Sequence, residues 1–424
     1  MILWMSELDK KEKRTLSACF GGWTLDAFDV NLYGLVIPTL LVALHFSTAQ
    51  AGVLATVTLL MSAFGGWMAG VLADRFGRVR ILQLTIIWFS FFTFLTGFAQ
   101  DFTQFFIIRA LQGLGFGGEW AAGAVLMGEV IRSRYRGRAV AAVQSGWPVG
   151  WGLAILAYAA VFSLLPQEVA WRVLFWIGLA PALLVLYVRY FVDEPEIFDS
   201  ADKKSRGLVG QALSVFAPGN ARTAILASLF STGAMGSYYA VNIWLPTFLR
   251  TERKLSVLST SGYLTVVIVG GILGVLAGGW FADRIGRKPT FFIFAVGGGL
   301  VVFLYMLAPI TDGWMLVAGF PLGFFANGVF APIGSFLTEL FPTHTRATSQ
   351  GFCYNFGRAI GALFPALIGF LSVALGGLGQ AIGLFTLGAY GVLLAALLFL
   401  PETRGRNLEE TDKENVSARP MAIA

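Results

Sequence analysis

The sequence predicts an all-α membrane protein with twelve transmembrane helices in two six-helix, pseudo-symmetric bundles. Hydrophobic residues make up 56% of the 424 residues and charged residues 13%, which does not suit the charged surface of a soluble protein. Apolar stretches recur along the whole chain, each near the ~20 residues that a helix needs to cross ~30 Å of hydrocarbon. A charged loop motif also occurs once in each half of the chain.

The apolar stretches place the spans in order. Their length, and the absence of short alternating strands, exclude a transmembrane β-barrel. We number them span one to span twelve, at residues 16–44, 51–72, 81–100, 103–131, 138–165, 171–192, 223–249, 259–282, 290–309, 313–341, 347–374 and 378–400.

One polar interruption is much longer than the other loops. It covers residues 193–222 and joins span six to span seven. We therefore predict an N-terminal bundle at 1–192, a cytoplasmic linker at 193–222, and a C-terminal bundle with a short cytoplasmic tail at 223–424.

Basic residues are distributed unequally between alternate loops. One side holds the clusters at 10–14, 75–80, 132–138, 203–222, 284–288, 346 and 404–419, whereas the other holds Arg250, Arg253 and Lys254, with Arg172 near an edge. Because Lys and Arg accumulate in cytoplasmic loops, we expect both termini in the cytoplasm of a bacterium, with the chain as a multi-pass protein of the inner membrane.

The formal net charge of +6 does not indicate a nucleic-acid partner, because the basic residues lie in short loops and are not interleaved with aromatics. The basic N-terminal tail leads directly into a full-length span, so no cleavable signal peptide is expected. Met5 is an alternative start to Met1.

A loop motif follows span two and recurs after span eight. It reads Gly70-Val-Leu-Ala-Asp74-Arg75-Phe-Gly77-Arg78 and then Gly279-Trp-Phe-Ala-Asp283-Arg284-Ile-Gly286-Arg287. A second pattern, from Glu129 to Arg136, recurs from Glu339 to Arg346. The repeated motif resembles that of the major facilitator superfamily, and the chain resembles this superfamily from end to end.

The resemblance implies that these motif residues form gating loops that latch the inner side in one state. Asp74 would accept hydrogen bonds from a neighbouring helix N-terminus, where the helix dipole favours negative charge. Arg78 would pair with Glu129. The alternative is a topology signal combined with a tight turn, and neither interpretation places these residues in contact with substrate.

Three spans carry charges at membrane depth, where each charge costs several kcal/mol and is a candidate for function. Span one carries Asp26 and Asp29, which share a helix face. Span four carries Arg109, Gln112, Phe116 and Glu119 within one arc of about 80°. Helix rise places Asp29 ~20 Å from the inner face and Arg109 ~9 Å from the outer face, nearly one level in a ~30 Å core.

An Asp29–Arg109 pair is therefore geometrically reasonable. An Arg partner favours the charged carboxylate, and losing that partner in an apolar cavity favours the protonated form. A pair that separates and re-forms would bind and release a proton. We assign proton coupling to Asp26, Asp29, Arg109 and Glu119. The alternative is a permanent ion pair that fixes helix packing.

Span eleven carries Arg358 at ~16 Å depth, near the midplane. Its planar guanidinium matches a carboxylate bidentately, and that carboxylate could come from the substrate or from Asp26. The other predicted substrate-binding residues are polar positions of the spans: Tyr354, Asn355, Asn31, Tyr33, Gln112, Gln144, Tyr238, Tyr239, Asn242 and Asn327. Each could instead form a helix-to-helix hydrogen bond.

Two segments make the resemblance more specific. Arg109-Ala-Leu-Gln-Gly113-Leu-Gly115-Phe-Gly117-Gly118-Glu119-Trp120 resembles the span-four signature of proton-linked metabolite symporters. Trp23-Thr-Leu-Asp26-Ala-Phe-Asp29 resembles span one of the sialate/lactate–proton and aromatic-acid–proton symporters, although the latter usually have Gly at Ala27. The span-five signature of antiporters is not met by Gly146-Trp147-Pro148-Val-Gly150-Trp151-Gly152.

The resemblance implies a secondary transporter that imports a small organic anion (a monocarboxylate, aromatic acid or sialate-like compound) with protons, by alternating access. The alternatives are a sugar or polyol–proton symporter, a metabolite or drug exporter, and a non-transporting sensor. The ending Pro401-Glu402-Thr403-Arg404-Gly405 is shared with sugar porters. We expect no enzyme activity, no cofactor and no metal. A phosphate-binding Walker loop is absent, so direct ATP drive is not supported, and His45 and His344 lie far apart in sequence and are poor metal ligands. We also expect a monomer in a lipid bilayer.

Overall fold

The structure, a computed structural model, describes residues 3–132, 139, 142–191, 215–216, 220–341 and 346–404. Helices make up the described chain, and no strand occurs in these ranges. A helical turn at Leu3–Ser6 precedes the spans.

The predicted spans are helices. The first five are Lys10–Ala43, Thr48–Phe76, Arg78–Thr96, Phe102–Val130 and Gly146–Leu164. Span six consists of Gln167–Ile177 and Ala182–Phe191. Spans seven to nine are Ala221–Thr251, Val257–Ile285 and Arg287–Val302, the last continued by a π-helical turn at Phe303–Leu307.

The last three spans complete the fold. Span ten consists of Asp312–Gly328 and Ile333–Leu340, span eleven of Arg346–Gly361 and Phe364–Leu371, and span twelve of Leu378–Phe399. Within the described residues, 11 segments are long and apolar enough to cross a membrane, and span four adds a helix of 29 residues. The predicted all-α fold with twelve spans is confirmed.

Capping residues set where the first spans begin. The Asp9 carboxylate accepts the Glu12 N–H at 2.8 Å, and the Glu12 carboxylate accepts the Asp9 N–H at 3.0 Å. Ser47 and Gln50 form the same reciprocal pair before span two. Such pairs satisfy N–H groups that the first helical turn leaves open. Span one therefore begins at Lys10, earlier than the apolar pattern predicted, because its polar first turns are helical as well.

Spans six, ten and eleven are each divided into two helices, which the apolar pattern did not predict. The breaks lie close to Pro181, Pro332 and Pro365. Proline lacks an N–H and clashes with the preceding turn, so it interrupts a helix without changing its hydrophobicity. Apolar length alone therefore predicts one continuous helix in each of these spans, although the backbone forms two helices.

Spans two and four pack backbone against backbone, and so do spans eight and ten. A Cβ at any of the glycines involved would collide with a carbonyl of the facing helix. These contacts are Gly113 and Gly117 against the Thr58 and Ser62 carbonyls, and Gly270 and Gly274 against those of Phe320 and Phe324. Small residues allow helices in a membrane to approach this closely. In the first half the glycines lie on span four and face span two, whereas in the second half they lie on span eight and face span ten.

Both copies of the loop motif turn at their last glycine. Gly77 has φ of 105° and Gly286 has φ of 109°. Side chains strongly disfavour positive φ, so these positions favour glycine. Each glycine ends one span and begins the next within a single residue, which gives the two halves the same short turn.

Packing divides the chain into two compact units. The first contains spans one to six together with Asn242–Ile268 and Pro365–Leu378, and the second contains span seven up to Val241, Val269–Phe364 and the chain from Gly379. Within the first unit, Thr48 Oγ1 donates to the Gly369 carbonyl at 3.0 Å, and Arg250 Nη1 donates to Tyr158 Oη at 3.0 Å. The predicted linker at 193–222 lies largely outside the described residues, so that boundary stays a prediction.

Candidate functional site

Asp29 lies within span one with 1% of its surface exposed. Its Oδ2 accepts a hydrogen bond from the Thr93 hydroxyl of span three at 3.0 Å. Its Oδ1 is buried and has no hydrogen-bond partner among the described residues. A Cβ added to Gly178, in the turn of span six, would lie 3.0 Å from this oxygen. A charged carboxylate buried with an unsatisfied oxygen is costly.

Arg109 of span four is 2% exposed and is held by neutral partners. Its Nη1 donates to Gln112 Oε1 at 2.8 Å, one turn along the same helix. The guanidinium carbon lies 4.3 Å from the ring centroid of Tyr33, whose hydroxyl donates to the Ala51 carbonyl at 2.8 Å. The predicted common arc of Arg109 and Gln112 is confirmed by their hydrogen bond.

A chain of hydrogen bonds connects Arg109 to Asp29. Gln112 accepts from Arg109 through Oε1 and donates through Nε2 to Thr93 Oγ1 at 2.6 Å. Thr93 then contacts the Asp29 carboxylate. In the described part of the chain, Asp29 and Arg109 form no direct ion pair. The structure thus brings the two predicted partners together through two neutral side chains.

Thr93 was missed by the sequence analysis. A Thr within an apolar helix commonly bonds to the carbonyl four residues earlier, as Thr93 does to Phe89 at 2.8 Å. A weak signal was present, because Ser90, Thr93 and Thr96 recur every three residues along span three. All three are fully buried, so their common helix face was detectable from the spacing, but its partner was not.

The structure says less about the other two residues assigned to proton coupling, Asp26 and Glu119. Asp26 is fully buried on span one, one turn before Asp29. The side chain of Glu119 lies outside the described residues. The coupling roles of both stay predictions.

A second polar cluster surrounds Arg358 in span eleven. Arg358 is 4% exposed, and its side chain forms a hydrogen bond with Tyr239 of span seven. Tyr354 lies one turn earlier on the same helix, within electrostatic reach of the guanidinium. The Tyr238 ring packs edge-on against Tyr239, with centroids 6.0 Å apart. Arg358 therefore has one tyrosine hydroxyl as a hydrogen-bond partner and a second tyrosine close by, and its contact with substrate stays a prediction.

The predicted asparagines bond mainly to their own helices. In each, Nδ2 donates to the carbonyl four residues earlier: Asn31 to Ala27 at 2.7 Å, Asn327 to Gly323 at 3.1 Å, and Asn355 to Gly351 at 3.0 Å. Asn242 is buried and Gln144 is half-buried. Contact of these side chains with substrate stays a prediction.

The second copy of the loop motif forms a charged network centred on Arg287. Its guanidinium pairs with Asp283 at 2.8 Å and with Glu339 at 3.0 Å. Thr403 Oγ1 donates to Glu339 Oε2 at 2.5 Å. Three sequence patterns, namely the loop motif, the Glu339 segment and the chain after span twelve, therefore meet at the beginning of span nine.

Glu402 caps span nine from a distant position in the chain. Its two carboxylate oxygens accept the backbone N–H groups of Arg287 and Lys288, each at 2.9 Å. Burial raises the pKa of this carboxyl, but hydrogen bonds from the backbone N–H groups of Arg404, Arg287, Lys288 and Thr403 outweigh burial, and the pKa is lowered overall. Sequence reasoning noted Glu402 only as part of the chain ending.

The remaining loop residues are only partly described. Arg284 lies over the Trp280 ring at 5.1 Å, and Arg346 Nε donates to the Phe341 carbonyl at 3.2 Å. A Cβ at Gly279 would meet open space. The side chains of Asp74, Arg75, Arg78 and Glu129, the surroundings of Gly70, and all of Arg136 lie outside the described residues, so the predicted Arg78–Glu129 pair stays a prediction.

Twelve helical spans, a loop motif present in both halves and charges buried within the spans together describe a repeated membrane architecture. The chain matches the Major Facilitator Superfamily over residues 19–365 and again over 263–423. It belongs to this superfamily. A member of this superfamily is an integral membrane transporter and not an enzyme, in agreement with the sequence prediction.

Relatives within the superfamily cover most of the chain. The chain is 43% identical to a "Probable 4-methylmuconolactone transporter" of Cupriavidus pinatubonensis, over 100% of this chain and 98% of the relative. It is 32% identical to a "Cis,cis-muconate transport protein" of Acinetobacter baylyi, over 82% of this chain and 84% of the relative. The predicted resemblance to organic-acid branches of the superfamily is confirmed.

A solved structure shows the same fold. A D-xylose–proton symporter superposes with a TM-score of 0.75 at 20% identity, covering 93% of this chain and 98% of that one. At this identity the match establishes the superfamily fold alone.

Proposed function

We propose that this superfamily member imports a small organic acid anion together with protons by alternating access. The two relatives described above are named for the transport of 4-methylmuconolactone and cis,cis-muconate, and their similarity spans most of the chain. An organic acid with a flat or apolar portion is accordingly the substrate class that we assign to this chain.

The observation that carries the proton-coupling part is the environment of Asp29. Its carboxylate is buried, one oxygen has no partner among the described residues, and Arg109 donates to Gln112 and forms no ion pair with Asp29. A carboxylate in a permanent ion pair with Arg would resist protonation, whereas one separated from its cation can accept a proton. This geometry favours reversible proton binding over a fixed structural pair.

The anion-binding part rests on Arg358. The guanidinium has tyrosine neighbours on two spans and lies in a span of the second half. A substrate carboxylate would add a charge-assisted, bidentate partner, which Tyr hydroxyls cannot supply. A permanent ion pair between Arg358 and Asp26 is the structural alternative. Variants of these two residues distinguish a substrate clamp from such a pair.

The loop network supports a gating role. In the second half, Arg287 connects the exposed Asp283 on span eight to the largely buried Glu339 on span ten, so the network joins three spans at the loop motif. We assign the corresponding first-half residues the same role. We further propose that both termini face the cytoplasm of a bacterial cell, that residues 193–222 link two six-helix bundles, and that the protein is a monomer.

The test is uptake into proteoliposomes with an imposed pH gradient. The substrates are cis,cis-muconate, 4-methylmuconolactone, a hydroxylated aromatic acid, sialate, lactate and xylose. We expect accumulation of an organic acid that rises as the external pH falls and collapses with a protonophore. Counterflow at equal pH measures substrate exchange without net proton movement and serves as the control.

Each part of the proposal can fail separately. Accumulation that persists with a protonophore would contradict the proposed proton coupling. Transport of xylose without transport of any acid would contradict the organic-acid assignment and favour a sugar symporter.

A further inference from the structure

The hydroxyl of Thr93 has two acceptors and one donor within hydrogen-bond distance. Its oxygen lies 3.0 Å from Asp29 Oδ2 and 2.8 Å from the Phe89 carbonyl. Gln112 Nε2 donates to the same oxygen at 2.6 Å. A hydroxyl carries one proton and two lone pairs, so Thr93 can donate to only one of its two acceptors at a time.

The two acceptors correspond to the two protonation states of Asp29. When Asp29 is charged, the Thr93 proton points to Oδ2 and forms a charge-assisted hydrogen bond. When Oδ2 binds a proton, the carboxyl O–H donates to Thr93 Oγ1, and the Thr93 proton rotates to the Phe89 carbonyl. Asp29 gains one proton, no other covalent bond is made or broken, and only the hydrogen bonds of the Thr93 hydroxyl rearrange.

Gln112 keeps its contacts in both states. In the charged state Thr93 Oγ1 accepts from Gln112 alone, and in the protonated state it accepts from Gln112 and Asp29 with its two lone pairs. The Gln112 amide therefore stays fixed, with Oε1 bound to Arg109. Protonation of Asp29 therefore leaves both the Thr93 hydroxyl and the Gln112 amide with an acceptor, so neither of these two donors loses its hydrogen bond.

We propose that Thr93 is a positioning residue that lets Asp29 hold or release a proton without disturbing Gln112 and Arg109. The inference rests on the proposed proton coupling at Asp29. The charged or titratable groups around this carboxyl are Arg109 on span four, and Tyr33 and Asp26 on span one itself. Span three presents Thr93, and span six presents the backbone of Gly178.

The experiment compares Thr93→Val, Thr93→Ser and Thr96→Val. Valine keeps the shape of Thr and removes the hydroxyl, whereas serine keeps the hydroxyl. Thr96 is the matched control, because it is fully buried on the same helix and donates to the Phe92 carbonyl at 2.9 Å. The measurements are the pH profile of gradient-driven uptake and the substrate affinity in counterflow, both in proteoliposomes.

Thr93→Val should move the midpoint of the pH profile upward by about one pH unit, because the charged carboxylate loses its donor. Counterflow affinity should stay within about twofold, since Thr93 does not contact substrate in this account. Thr93→Ser and Thr96→Val should keep the wild-type midpoint. In an Asp29→Asn background, Thr93→Val should cause no further change in counterflow.

Equal midpoints in Thr93→Val and wild type would overturn the inference while leaving proton coupling intact. If a protonophore leaves wild-type uptake unchanged, both the proposed proton coupling and this inference are wrong. A loss of counterflow of the same size with and without the Asp29 carboxylate would show a packing role instead. If the valine variant is not recovered as folded protein, Thr93→Ala enters the same assays with the same expected shift.

Discussion

The guanidinium of Arg109 lies over the ring of Tyr33, with its central carbon 4.3 Å from the ring centroid. Both residues are buried, and each is 2% exposed. A buried cation over an aromatic face gains about 2 kcal/mol or more. Tyr33 therefore stabilises the Arg109 cation, which forms no ion pair with Asp29 in the described part of the chain.

We expect Tyr33→Phe to retain transport and lower the free energy of unfolding by about 0.5–1.5 kcal/mol, because it loses only the hydrogen bond to Ala51. Tyr33→Leu removes the aromatic face as well and should reduce both stability and uptake further. Thermal unfolding and proteoliposome uptake measure the two effects. Equal behaviour of the two variants would show that the ring face is unimportant.

Asp29→Asn should abolish accumulation driven by a pH gradient while counterflow survives in part. The amide has nearly the shape of the carboxyl but cannot bind and release a proton. Asp101→Asn is the matched control, since Asp101 is an exposed N-cap of span four and Asn caps a helix equally well. Accumulation by Asp29→Asn at the wild-type level would place coupling elsewhere.

Arg358→Lys should weaken substrate binding by about 1.5–3 kcal/mol, because an ammonium cannot reproduce the bidentate fork. Arg172→Lys, which alters a side chain bound to the Gly97 carbonyl at 2.9 Å, should bind substrate normally. Direct binding to purified protein measures both. A well-folded Arg358→Ala with normal affinity would refute the carboxylate clamp.

If Arg358 instead pairs permanently with Asp26, each single neutral variant should express poorly, and the double neutral variant should recover. Expression and thermal unfolding of these three proteins therefore separate a structural ion pair from a substrate clamp.

Asp283→Asn should slow turnover with little change in substrate affinity, because it removes one partner of the Arg287 network far from the spans' middle. The Asp283 side chain is 81% exposed, so the stability change should stay below about 1 kcal/mol. Rates and affinities from counterflow separate the two effects. A large loss of affinity with intact turnover would contradict the gating role.

Glu402→Gln should make stability less dependent on pH. The folded-state pKa of Glu402 lies below the ordinary value of 4.5, so its stabilisation is complete above that value and is lost as pH falls through the folded-state pKa. Wild type should exceed the variant at neutral pH by about 0.3–1 kcal/mol, the usual contribution of a charge at a helix N-terminus. The difference in melting temperature should shrink progressively as the pH falls below 4.5; a constant difference would exclude Glu402 as its source.

The sequence predicted the helical spans because apolar length is a local property, and it offered a tight turn as one interpretation of the loop motif. The structure places that turn at Gly77 and Gly286, both of which have positive φ. The sequence did not predict that Pro181 and Pro332 lie at breaks, because hydrophobicity continues across them. Helix edges also moved where capping residues such as Asp9 added polar turns.

The charged residues of the site were predictable one by one, because charge within an apolar span is rare. Their connections were not predictable. Depth along a helix suggested that Asp29 and Arg109 lie at one level, but it could not supply the intervening Thr93. Glu402 illustrates the same limit, since its contact with Arg287 joins residues far apart in sequence.

The glycine contacts between spans two and four have a mechanical consequence. Where Gly117 meets the Ser62 carbonyl, no side chain lies between the backbones, so no rotamer change can absorb sliding of one helix along the other. The two helices are therefore stiff with respect to each other, and Gly274 against Phe324 gives spans eight and ten the same stiffness. We therefore expect movement within each half to occur in other helices, such as those interrupted near Pro332 and Pro365.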